Sequence, residues 1–309
     1  MNARETHPAD SGRPLAISLL LGASGWFAGI FVLILVALAV RPDSAAPAAI
    51  TGVVLLAAAW GLFMAASGGL QIVVVQLALA LSIAGQCLVV FAAADHAGGI
   101  GPAAAAALLL QIVLAFVMPD RLHRTLSTLF ATVAWALTVR FALFDAHAGW
   151  RDDAARPTFL PAALGGWLLT WGPIAGALWW AIRHEAAWVA RGWVALAQPI
   201  VTGLIAGLAF ATLASQPFDD MRWFGAHASD GSLALFPVLS ALAALAALAA
   251  AFAQGRRALM ALCAIAALLH ASSFYYALGA SLLVKSLLML VAGVACLAAA
   301  RMLRTEEQA

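Results

Sequence analysis

The chain has 309 residues, of which 65% are hydrophobic and 10% are charged, and its formal net charge at pH 7 is +2. Its mean hydropathy of +0.99 excludes a soluble globular domain with an ordinary polar surface. The apolar runs lack strand-type alternation, so the composition predicts an all-α, polytopic transmembrane bundle. We expect the lipid bilayer, and no nucleic acid, as a partner.

Apolar runs bounded by charged residues, proline and glycine predict about ten membrane-spanning helices. The first run is too long for the core of a signal peptide, and we interpret it as a retained helix. The predicted spans are residues 15–40, 49–67, 70–93, 102–119, 125–146, 160–182, 192–215, 232–253, 258–276 and 280–300.

The whole chain, 1–309, is predicted to form one integral membrane domain. Its helical bundle covers 15–303, and short cytoplasmic tails cover 1–14 and 304–309. Each polar stretch between spans is shorter than about twenty residues, which is too short for a separate domain. Segment 185–191 is expected to lie in the headgroup layer, because tryptophan and arginine suit that environment.

Basic residues determine the predicted orientation. With a cytoplasmic N-terminus, the short inner segments hold most of the arginines, as the positive-inside bias requires. We therefore predict that both termini face the cytoplasm. The inner segments hold Arg4, Arg13, Arg121, Arg124, Arg183, Arg191, Arg256, Arg257, Arg301 and Arg304. The outer loops hold Arg41, Arg151, Arg156 and Arg222.

Tryptophan and glycine residues indicate how the helices are anchored and packed. Several tryptophans near predicted span ends suit an aromatic belt, while deeper ones are expected to pack between helices. Gly203 and Gly207, in "GLIAG", have the spacing of a close-packing pair. The deeper tryptophans are Trp26, Trp60, Trp135, Trp167 and Trp171.

Four polar side chains from four predicted spans occur at comparable heights in the outer half of the bundle: Lys285, His270, Arg140 and Gln86. A charge that faces lipid is costly, so these residues are expected to face the bundle interior and form a polar pocket. Ser281 lies four residues before Lys285 on the same helical face. The competing interpretation is that Lys285 and Arg140 extend to the headgroups, and that His270 only fills a packing position.

Such a pocket would contain cations and no carboxylate, because no Asp or Glu lies deep in a predicted span. It would suit an anionic group, such as a lipid phosphate, a carboxylate substrate or an aspartate from an outer loop. A proton relay normally requires an acidic residue at depth, which makes a relay the weaker hypothesis.

No catalytic, metal or cofactor motif is recognisable, and we predict no cofactor. The cysteines Cys87, Cys263 and Cys296 lie in apolar runs without CxxC spacing, and we interpret them as small packing residues. Histidine and aspartate recur in the outer loops and would ligate a metal only if those loops converged. Solvated polar loops explain them equally well: Asp95, His96, His147, Asp152, Asp153, Asp219, Asp220, His227 and Asp230.

The closing segment, 270–304, resembles the end of a bacterial membrane family called domain of unknown function 4401 (DUF4401). An aromatic pair, a Leu-Gly step and a Leu-Leu-x-Lys-Ser run precede a glycine-containing apolar helix. The resemblance implies a polytopic inner-membrane protein without assigned activity, associated with another envelope protein, and it favours a role for Lys285. The matching residues are Tyr275, Tyr276, Leu278, Gly279, Leu282, Leu283, Lys285, Ser286 and Gly293.

Three functional hypotheses follow from these patterns. The leading one is an inner-membrane component of a cell-envelope complex. The alternative is a secondary transporter of a small, anionic solute, built from two five-helix halves of inverted topology. Against it, residues 15–146 and 160–300 show no clear similarity to each other. A lipid-modifying enzyme that uses the outer histidines and aspartates ranks third.

Overall fold

The structure is a computed structural model, and every residue that it describes outside short turns is helical. The prediction of an all-α fold is therefore confirmed. The described residues are 15–40, 44–66, 71–144, 160–214, 235–277 and 281–287, together with positions 290, 291, 293 and 294.

Helices occupy each of the predicted apolar runs, and most ends fall within four residues of the predicted ones. Residues 282–287 belong to the last run and are designated α10. The other helices are α1 Leu15–Val40, α2 Ala45–Ala65, α3 Gln71–Ala97, α4 Ile100–Val117, α5 Arg121–Phe144, α6 Leu160–Ala190, α7 Val194–Ala214, α8 Leu235–Ala253 and α9 Arg257–Ala277.

Helix α6 extends further than its apolar run predicts. It continues beyond residue 182 to Ala190, over 31 residues in total. The charged residues that end the apolar run are acceptable helix formers, so the chain leaves the apolar layer without leaving the helix. Segment 185–191 is therefore mostly the last part of α6, and its place in the headgroup layer stays a prediction.

Within the described residues, three helices are long and apolar enough to cross a membrane: α2, α3 and α4. Shorter apolar segments occur in α1, α7, α8 and α9. An all-α chain with several such helices is consistent with a membrane protein.

Two helices organise the packing. Helix α3 packs against α1, α2 and α4, whereas α7 packs against α5, α6, α8 and α9. Helix α5 contacts both α4 and α7 and thereby joins the two groups. The position of α5 is therefore central to the architecture.

The tightest contacts of this bundle occur where glycine lets two helices approach each other. A Cβ atom added to Gly52 of α2 would lie 2.8 Å from the carbonyl oxygen of Gly85 on α3, and one added to Gly85 would lie 2.7 Å from that of Gly52. Small residues permit such backbone contact between membrane helices.

Gly203 and Gly207 have the same function between α7 and α5, which confirms the packing role expected from "GLIAG". A Cβ atom on Gly203 would lie 2.7 Å from the Thr125 carbonyl oxygen, and one on Gly207 would lie 2.8 Å from the Thr132 Cβ atom. The α5–α7 interface is therefore formed by threonines packed directly onto glycines.

Replacing Gly203 by alanine is expected to destabilise the protein by about 1–3 kcal/mol, because the added methyl group meets backbone that cannot rotate away. The midpoint of thermal unfolding in detergent measures this effect. Gly176→Ala on α6 is the matched control, since a Cβ atom there meets nothing within 4 Å. Equal midpoints for the two variants would contradict the proposed packing.

Proline inside α7 exposes a backbone acceptor that α5 satisfies. Pro199 lacks an N–H group, so the Ala195 carbonyl loses its normal helical donor. Nη1 of Arg124 on α5 donates to that carbonyl oxygen at 2.7 Å, and its Nε donates to the Met118 carbonyl at 2.6 Å. Arg124 thus ties the α4–α5 turn to the start of α7.

The proline inside α6 is compensated in the same way. Pro173 leaves the Leu169 carbonyl without its helical donor, and Nε1 of Trp135 on α5 donates to that oxygen at 3.2 Å. Helix α5 therefore supplies a side-chain donor to each of the two proline-containing helices. Trp135 has the helix-packing role expected of the deeper tryptophans.

Candidate functional site

The α4–α5 turn places a histidine inside the bundle. Asp120 precedes α5, and its Oδ1 atom accepts a hydrogen bond from the backbone N–H of His123 at 2.8 Å. This is the geometry of a helix N-cap, which fixes the first turn of α5. The His123 side chain is 1% exposed and points between α3 and α5.

A hydrogen-bonded network of five buried side chains surrounds this histidine, and we call it the polar network: Ser82, Gln86, Gln111, His123 and Ser127. Gln111 of α4 donates through Nε2 to Oε1 of Gln86 at 2.7 Å, and Nε2 of Gln86 donates to Oγ of Ser82 at 3.0 Å. Oγ of Ser82 lies 2.6 Å from Nε2 of His123, and Oγ of Ser127 lies 3.2 Å from Nδ1. Three helices, α3, α4 and α5, are joined by these bonds.

The hydrogen-bond directions link the tautomer of His123 to the orientation of the Gln86 and Gln111 amides. The amide nitrogen of Gln86 also approaches Nε2 of His123, at 3.3 Å, so Nε2 is an acceptor when that amide is oriented this way. Nδ1 then carries the proton and donates to Ser127. If the amides of Gln86 and Gln111 are both reversed, every bond reverses direction, and Nε2 carries the proton instead.

The polar network contains one unsatisfied acceptor. Oε1 of Gln111 is buried and accepts no hydrogen bond from the residues that the structure describes. The five members are neutral groups, apart from the histidine, which can be protonated. Chemically, the network can fix helix positions and hold a proton, and it offers no nucleophile paired with a carboxylate.

Of the residues predicted to share a pocket, Gln86 and His270 lie in different interfaces. Gln86 bonds within α3, α4 and α5, as described above. His270 of α9 is completely buried, and its Nε2 atom lies 3.0 Å from the Ala209 carbonyl oxygen of α7. The structure therefore brings Gln86 together with His123 rather than with His270.

Lys285 lies in the described part of α10. Its Nζ atom is 4.9 Å from the centre of the Tyr275 ring, near the end of α9. Ser281 and Ser286 are exposed, and Oγ of Ser286 donates to the Leu282 carbonyl at 2.8 Å. The side chains of Arg140 and Tyr276 lie outside the described part of the chain, so the pocket remains a prediction.

The outer histidines and aspartates form no metal site within the described residues, where no group of three possible ligands occurs. Asp95 instead stabilises the start of α2, since its Oδ2 atom accepts a hydrogen bond from the Ala45 N–H at 2.9 Å. His96 is exposed at the end of α3. The other members of that predicted group lie outside the described residues.

Sequence reasoning identified Gln86 but missed the other four members of the polar network. The signal was present as two i, i+4 pairs, Ser82 with Gln86 and His123 with Ser127, each on one helical face. Gln111 is the single polar side chain between Gly101 and Val117 of α4. Its place in a long apolar run marks it as a buried polar residue.

Comparison with known proteins identifies a family but no function. The chain matches the family described as Domain of unknown function (DUF4401) over residues 14–305. No curated protein and no solved structure matches it. The family match extends from the closing segment, where the resemblance was sharpest, to nearly the whole chain. The protein therefore belongs to the DUF4401 family, whose function is unknown.

Proposed function

We propose that this chain is a multi-pass protein of the bacterial inner membrane, with ten transmembrane helices and both termini in the cytoplasm. The charge distribution supports this orientation. Arg124 joins the α4–α5 turn to the start of α7, and Arg256 of the α8–α9 turn donates to the Gln198 carbonyl of α7 at 3.1 Å. The α4–α5, α6–α7 and α8–α9 turns thus meet at one end of the bundle. They carry Arg124, Arg191 and Arg256, as the positive-inside bias requires of a cytoplasmic face.

The opposite end of the bundle carries Asp95. Asp95 at the end of α3 accepts a hydrogen bond from the first residue of α2, so the end of α3 and the start of α2 lie at the same end of the bundle. Acidic residues contribute little to topology, and two others, Asp120 and Glu185, lie at the arginine-bearing end. The proposed orientation therefore rests on the arginines. Reporter fusions at the turns would test membrane insertion and the number of transmembrane helices.

Within the membrane, we propose that the protein works as a component of an envelope complex and binds its partner through α10. The exposure of α10 carries this proposal. Leu282 is 75% exposed, Leu283 is 77% exposed and Leu287 is 57% exposed. Because successive residues are 100° apart around a helix, Leu282 points away from Leu283 and Leu287, which share a face, so the described part of α10 is open on at least two sides.

The charge of Lys285 determines which residue type the partner must offer in the proposed contact. A charge on a lipid-exposed helix costs roughly 2.5–3.5 kcal/mol near the bilayer centre. The cation–π contact with Tyr275 offsets only about 0.5–1 kcal/mol of this cost at an exposed site. A transmembrane helix of another envelope protein that offers a carboxylate would compensate the charge more fully. Extension of Lys285 to the headgroups is the competing explanation.

A photo-crosslinking residue at position 283 is expected to give one discrete product, which mass spectrometry identifies as a transmembrane segment with an intramembrane Asp or Glu. The control position is Leu109 of α4, which is 66% exposed and should crosslink only to lipid. Lys285→Leu is expected to reduce the product at least about fivefold, and Lys285→Arg should retain most of it. An unchanged product in Lys285→Leu would contradict the proposal.

The transporter alternative receives less support from the packing. In two inverted five-helix halves, equivalent helices should have equivalent neighbours. Among the described residues, α1 packs mainly on α3, whereas its counterpart α6 packs mainly on α7. The polar side chains of α3, α4 and α5 also form hydrogen bonds with one another. A transport site would instead expose such groups to an open cavity.

A further inference from the structure

The last turns of α6 present an exposed surface of aromatic and basic side chains. Trp179 is 57% exposed and Trp180 is 51% exposed. The guanidinium carbon of Arg183 lies 3.9 Å from the centre of the Trp179 ring. On the neighbouring face, the Trp180 ring lies 4.9 Å from the His184 ring and 5.1 Å from the Trp188 ring. We call these five residues the α6 surface.

The charge of Arg183 is not neutralised by another described residue. The nearest acidic residue in sequence, Glu185, is engaged elsewhere, since its Oε1 atom lies 3.4 Å from Nη2 of Arg256. Gln254 donates to the other oxygen of Glu185 at 3.2 Å. Arg256 is therefore committed to the protein, whereas the guanidinium donors of Arg183 are available to an external anion.

We propose that the α6 surface binds the phosphate group of an anionic phospholipid in the cytoplasmic leaflet. The proposal rests on the membrane orientation proposed above. With 31 residues, α6 is about 46 Å long, which exceeds the hydrocarbon thickness of about 30 Å. Its last turns therefore reach the headgroup layer, where phosphate groups lie.

The residue types favour a lipid over a soluble anion. A guanidinium matches phosphate oxygens with paired donors, and basic residues near this leaflet attract anionic lipids. Exposed tryptophan rings suit the boundary between headgroups and acyl chains. Free phosphate would contact only the guanidinium and leave the rings beside it exposed to water.

The test uses full-length protein in mild detergent and native mass spectrometry with phosphatidylglycerol and phosphatidylethanolamine of identical acyl chains. We expect phosphatidylglycerol to bind more tightly than phosphatidylethanolamine. Arg183→Gln should weaken the binding of phosphatidylglycerol about fivefold. Trp179→Leu is a second variant that keeps the charge and removes the stacked ring, and it should weaken binding as well. Arg257→Gln, which removes an exposed cation at the same end of the bundle, should leave binding unchanged.

Three results would overturn the proposal. Equal binding of the two lipids would show that the net negative charge of the lipid is not recognised. Equal weakening by Arg183→Gln and Arg257→Gln would show a general charge effect without a site. Displacement of phosphatidylglycerol by millimolar inorganic phosphate would identify a soluble anion as the ligand. None of these measurements depends on α10, so their failure is distinct from a failure of the partner proposal.

Discussion

Replacing His123 by leucine is expected to destabilise the bundle by about 1–3 kcal/mol, with a lower midpoint of thermal unfolding in detergent. Ser82, Gln86 and Ser127 each lose a buried neighbour and cannot turn to water. A buried polar group left without a partner is more costly than the bond itself was favourable. His96→Leu, at an exposed position, is the control and should leave the midpoint unchanged.

A double-mutant cycle separates the network from simple packing. Ser82→Ala alone should destabilise the protein, because Nε2 of His123 then loses its partner at 2.6 Å. The variant that combines Ser82→Ala with His123→Leu should cost less than the sum of the single changes by at least about 0.5 kcal/mol. Strict additivity of the two changes would show that the two side chains do not stabilise each other.

The positions of the helices were predictable because membrane helices must satisfy their backbone groups internally. Each predicted run is therefore both apolar and helical, and the bounds of α1 agree at residues 15 and 40. Helix α6 extends beyond its predicted span for a related reason. Hydropathy indicates where the chain leaves the apolar layer, whereas the helix continues to Ala190.

The neighbours of each polar side chain were less predictable. Gln86 and His270 were grouped by height along their helices, but height does not determine the direction in which a side chain points. Helices such as α3 and α4 are apolar on every face, so no amphipathic stripe indicates which face is buried. The partner of Gln86 is Gln111, which lies on the adjacent helix α4 at a similar distance from the α3–α4 turn.

The compensation of the two prolines was also hidden in the sequence. A proline at position i frees the carbonyl of residue i−4, so Ala195 and Leu169 could be named as open acceptors from Pro199 and Pro173. The donors could not be named, because Arg124 lies 71 residues from Ala195. Arg124 itself was counted only as a cytoplasmic charge. Its two hydrogen bonds show that an arginine used to predict topology also has a structural role.

Arg124→Met is expected to lower the midpoint of thermal unfolding by an amount equivalent to about 1–3 kcal/mol, since two carbonyl oxygens lose their donor. Arg121→Met is the matched control. Arg121 lies three residues earlier and is exposed, so its loss should change the midpoint little. Equal effects of the two variants would indicate that charge, rather than the hydrogen bonds of Arg124, is responsible.

Pro199→Ala provides the decisive comparison, because alanine restores an N–H group that can donate to the Ala195 carbonyl within α7. In the Arg124→Met background, this change should recover part of the lost stability, since it supplies the donor that methionine lacks. In the wild-type background the carbonyl already accepts from Arg124 at 2.7 Å, so the gain from Pro199→Ala should be smaller. The difference between the two gains measures the coupling and removes the general helix preference of alanine from the comparison. If Pro199→Ala raises the midpoint equally in both backgrounds, Arg124 does not compensate for the proline, and its contact with α7 must have another role.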